Sequence, residues 1–143
     1  MSHSAAIILK STGKVAPGVD GYGYALADAL RILDRMAKKL KVRGPRSFLF
    51  EDPSIWEEFI DQKSQSKFAK SLAMQKEWHS CTDGIATFES LLSTLKIKGE
   101  RKWQVLLVDE GVDSDDLRSD LMVCLKALQK AAKKNDQFHL DIG

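Results

Sequence analysis

The chain reads as an α+β or α/β protein in which about four helices pack on a small mixed sheet of three to four strands. Apolar residues recur at helical spacing in several long segments, and short β-rich apolar runs stand near both ends of the chain and before the last helix. No internal repeat, low-complexity tract or Pro/Gly-rich linker divides the 143 residues, so residues 1–143 are expected to form a single globular domain.

Ile7, Ile8 and Leu9 form a continuous apolar run inside Ala5 to Lys10, which suits a strand covered on both faces. Ser11 to Gly23 carries Gly13, Pro17, Gly18, Gly21 and Gly23 and reads as a loop or a pair of turns. A helix is expected from Tyr24 to Lys41, with Leu26, Leu30, Leu33, Ala37 and Leu40 on one face and Gly44-Pro45 stopping it. Ser47 to Phe50 reads as a short strand or an extended connector. Ser54 and Glu57 form a capping box ahead of Trp56, Phe59 and Ile60, and Phe68 and Leu72 suggest a short helix after a Ser-rich break. Asp83 to Ile97 places Ile85, Phe88, Leu91, Leu92 and Leu95 on a helix core face.

Trp103 to Val108 is apolar and β-rich, so a strand is expected there. Asp113 opens a last helix running to Lys134, lined by Leu117, Leu121, Cys124, Leu125, Leu128 and Ala132. Phe138, Leu140 and Ile142 alternate with Gln137, His139 and Asp141, the pattern of a strand with one wet face. The strand–helix–strand rhythm at this end predicts a parallel pair.

Composition narrows the function. A chain of roughly 150 residues buries about 70% of its surface on folding and needs no staples. With 43% hydrophobic and 29% charged residues, it lies in the ordinary globular range. The 22 basic and 20 acidic residues leave a formal net charge of +2, which disfavours a DNA-coating or polybasic membrane protein. Two cysteines fit a reducing compartment, and neither a signal peptide nor a membrane span is readable, so a cytoplasmic location is expected.

No catalytic constellation stands out. Lys10-Ser11-Thr12-Gly13-Lys14 lacks the first glycine and the hydroxyl of a phosphate-binding loop. Gly18, Gly21 and Gly23 precede a helix, where N-terminal amides attract anions, but their spacing is G-x-x-G-x-G rather than a dinucleotide fingerprint. They are retained as an alternative anion site. His79-Ser80-Cys81 lacks the paired spacing of a zinc site, and no metal or cofactor is expected. Cys81 stands at a helix start, a position that lowers a thiol pKa, yet no oxyanion-forming sequence surrounds it. Asp109, Glu110, Asp113, Asp115 and Asp116 suit helix capping, and they also form an acidic edge for a basic partner. Lys38, Lys39, Lys41, Arg43 and Arg46 form a basic segment without interleaved aromatics, so nucleic acid is not the expected partner. Trp78 has polar neighbours on both sides; it reads as a staple on the following helix or as an interface residue.

Val19-Asp20-Gly21 leading into Tyr24–Lys41, the Trp78–Leu95 segment with Asp83-Gly84-Ile85-Ala86-Thr87, and the closing helix with Phe138-His139-Leu140 together resemble a family of small uncharacterised bacterial cytosolic proteins. Some such α/β proteins are similar to immunity proteins that neutralise toxins of neighbouring bacteria. The resemblance implies a bacterial source and protein binding, and it transfers no catalytic residue. The expected function is a non-catalytic protein-binding module, of the immunity type that the resemblance suggests, using Trp78, Asp109, Glu110, Asp113 and Asp115. The alternative is a small-molecule or phosphate-binding protein, or an enzyme, using the Gly18–Gly23 loop.

Overall fold

The computed structural model of the protein describes residues 3–50, 76–96 and 101–143. The capping box at Ser54 and the short helix at Phe68 lie outside the described residues. The elements are β1 (Ala5–Leu9), α1 (Tyr24–Leu40), a 3-10 turn (Pro45–Phe48), β2 (His79–Ser80), α2 (Cys81–Lys96), α3 (Arg101–Asp109), α4 (Ser114–Ala132) and β3 (Gln137–Ile142). Among the described residues, four helices pack on a three-stranded sheet of order β1-β3-β2, antiparallel throughout.

Leu9 pairs with Phe138, Ile7 with Leu140 and Ala5 with Ile142. Directly paired residues share a face, so Ile7, Leu9, Phe138 and Leu140 all point toward the helices, where each is buried. Gly84 lets α2 close on this face. A Cβ there would stand 2.6 Å from Phe138 Cζ and 2.9 Å from Leu128 Cδ1.

The outer side of β1 is covered, and β3 is the central strand. β1 is met on its outer side by Val15, by Ala16 N–H donating to the Ile7 carbonyl at 2.8 Å, and by the Gly23 carbonyl accepting from Ala5 N at 2.9 Å. β3 is met by β2 and, further along, by a single parallel bridge between Leu49 and Leu140. The Ser47–Phe50 segment therefore combines the end of a 3-10 turn with one bridge, and is not a strand.

The largest departure from the sequence pattern is α3. Trp103 to Val108 is helical, and no crossover to a parallel strand exists there. Trp103 and Leu107, four apart, bury one stripe against the core, while Lys39 of α1 lies 5.5 Å above the Trp103 ring. A β-rich run with buried residues four apart satisfies a helix as well as a strand, and tertiary packing decides between them.

Smaller departures have similar causes. α1 ends one residue early, with Lys41 in a left-handed cap whose N–H bonds to the Ala37 and Lys38 carbonyls, and Leu40 is exposed. On β3, His139 is buried rather than wet, because Phe50 and Trp78 stack on it. Among the described residues, no helix is long and apolar enough to cross a membrane.

Candidate functional site

The acidic segment forms an exposed corner between α3 and α4. α3 ends at Asp109, Gly111 turns the chain with φ +71°, and Val112 plugs back into the core. Asp113 is the N-cap of α4, accepting hydrogen bonds from the amides of Asp115 at 2.8 Å and Asp116 at 3.0 Å. Asp115 pairs with Arg118 one turn along. Asp109 and Glu110 are exposed and carry no ion pair among the described residues. Beside them, Val105 and Val108 are 56% and 73% exposed on the outer face of α3. Sequence reasoning missed these valines because it read the Trp103–Val108 run as a strand, and only the helix places Val105 and Val108 on the face opposite Trp103 and Leu107.

Trp78 does not join this corner. Its ring stacks on His139 with centroids 4.6 Å apart, and no hydrogen bond, ion pair or ring contact links it to the acids among the described residues. It packs against β3 of the sheet.

Around it lies a cluster of committed polar groups. His79 Nε2 donates to the Lys76 carbonyl at 3.1 Å, which leaves Nδ1 to accept from Arg43 Nη2 at 3.0 Å. Arg43 also reaches Asp83 at 3.3 Å and lies 4.3 Å above the Phe48 ring. Burial, reinforced by the Arg43 charge, holds the His79 pKa below the ordinary imidazole value. Burial also lowers that of His139, against the opposing pull of Asp141 and Glu77. His139 Nδ1 is buried without a hydrogen-bond partner. Both ring nitrogens of His79 are engaged, so His79-Ser80-Cys81 offers no histidine ligand. Among the described residues, no three potential ligands gather.

Both cysteines are buried free thiols. Cys81 heads α2, but burial and the Asp136 carboxylate push its pKa up to about 11, reversing the lowering that its helix position suggests. Burial, with Asp120 nearby, pushes Cys124 up to about 12.

The glycine loop is spent on turns. Gly23 sits at φ +99° against β1, where any Cβ would run into the Ala5 carbonyl oxygen. One amide of the helix N-terminus behind it is already engaged: buried Asp120 of α4 accepts from Leu26 N at 3.1 Å. An incoming anion at that amide would meet the Asp120 charge. Asp120 was readable in part, since it interrupts the apolar stripe of Leu117, Leu121 and Cys124.

No family model, curated protein or solved structure matches this chain.

Proposed function

We propose that the protein is a cytosolic, non-catalytic protein-binding module whose partner presents a basic surface with an apolar centre. The exposed Val105–Val108 ridge beside Asp109 and Glu110 carries this reading. Apolar side chains left in water next to unpaired charges are what an interface core and its rim require. The high thiol pKa values and the engaged nitrogens of His79 support a non-catalytic role. An immunity-type protein, the class suggested by the sequence resemblance, would use such an acidic face against a cationic toxin.

The test is affinity capture from native host lysate, followed by native mass spectrometry of the intact eluate. The expected result is a stoichiometric, salt-sensitive protein partner that is lost from a Val108→Lys/Glu110→Lys variant. A partner retained equally by that variant, or a retained small ligand with no partner protein, overturns the assignment.

A further inference from the structure

A second feature lies away from the acidic corner, where the loop after β1 crosses the end of α4. A cavity of about 160 Å³ opens there. Its floor is apolar, made by Leu9, Ala16, Ala127 and Ala131, all buried. Its rim is polar and cationic, with Thr12, Lys130 and Lys134 among its residues.

The rim groups differ in what they have left to offer. Asp136 is spent internally. Its Oδ1 accepts from Ser11 N at 3.1 Å and Gln137 N at 2.9 Å, and its Oδ2 accepts from the Ser11 hydroxyl. Burial opposes its ionisation, but these hydrogen bonds and the charge of Lys134 hold its pKa below the ordinary carboxylate value. Asp136 thus stays negative and pins the loop that forms one wall. Thr12 Oγ1 accepts from Lys14 N at 3.1 Å, which leaves its hydroxyl proton free to donate. Lys130 has no ion pair or hydrogen bond among the described residues. Lys130 stands in the last turn of α4 and Lys134 two residues past its end, and both line the cavity.

We infer that this cavity binds a small monocarboxylate with a compact apolar body, its carboxylate held at the rim by Lys130 and the Thr12 hydroxyl. Size sets the body: a cavity of about 150 Å³ lined by apolar side chains holds a benzene ring. Charge sets the head group. The Asp136 carboxylate already accepts three hydrogen bonds and feels the charge of Lys134, whereas Lys130 has three unspent donors to offer a carboxylate. A neutral apolar molecule of the same size would leave the rim donors to water.

Benzoate is the probe, titrated into the 15N-labelled full chain and followed by amide chemical shifts. The expected result is saturable shifts centred on Leu9, Thr12, Ala16 and Ala131. Benzyl alcohol, the neutral isostere, is expected to bind at least about tenfold more weakly, as is benzoate to a Lys130→Gln variant, since a charge-assisted hydrogen bond is removed in each case. Lys130 is exposed, so that variant keeps the fold, and an unchanged spectrum before titration verifies it. Absence of saturable shifts, shifts centred elsewhere, equal binding of benzyl alcohol, or full binding by Lys130→Gln each overturn the inference.

Discussion

The sheet edge around His79 and the α3–α4 corner contain similar side-chain types, aromatic or aliphatic residues beside charges, and use them in opposite ways. At the sheet edge, Arg43 serves Asp83, His79 and the Phe48 ring at once, and Trp78 and Phe50 cover His139. At the corner, Asp113 caps a helix and Asp115 pairs with Arg118, while Val105, Val108, Asp109 and Glu110 face outward. Groups enclosed by neighbours contribute to stability; groups left in water are available to a partner. The contrast shows that a charged cluster becomes a candidate site through what its members leave unspent.

Substitutions can break that contrast. Phe138→Ala on the central strand beside His79 should cost about 3–5 kcal/mol in urea denaturation, because a fully buried ring at the meeting of sheet and helices leaves a cavity. A loss near that of a surface change would mean that the sheet edge is not the packed region described. Gly84→Ala tests the close approach of α2 to β3. Forcing a methyl against Phe138 and Leu128 should lower stability by about 1–3 kcal/mol, read as a drop in thermal midpoint.

Acidification should also act on the sheet edge. Folding lowers the pKa of His79 and His139, so below an unfolded-state value of about 6.5 the unfolded chain binds more protons than the folded one. Their contribution is therefore present above that pH and lost as pH falls through the lowered folded values. Denaturation midpoints measured at pH 7 and pH 5 should show the loss, and His139→Phe should reduce it while keeping an aromatic ring between Phe50 and Trp78.

At the corner the effects are smaller and separate function from stability. Asp113→Ala should cost about 1 kcal/mol, the usual loss of a helix N-cap, measurable by denaturant titration. Val108→Lys and Glu110→Lys should change stability by no more than about 0.5 kcal/mol while reducing capture of a basic partner. If either variant unfolds the protein, the corner is structural and the contrast with the sheet edge fails.

Sequence periodicity determined the long helices and the two terminal strands. α1 and α4 have apolar stripes that only a 3.6-residue repeat can bury, and Asp113 is a helix cap by chemistry that acts within a few residues. The acidic corner was legible for the same local reason, since its acids lie within one turn and the start of one helix. Tertiary structure alone decided the rest. Trp103 to Val108 became a helix because its stripe of Trp103 and Leu107 found the core. His139 became dry because Phe50 and Trp78, distant in sequence, close over it. Asp120 took the Leu26 amide in the first turn of α1 through a contact spanning 94 positions. Pattern within a segment reports which face can be buried; what buries it depends on chain brought from elsewhere.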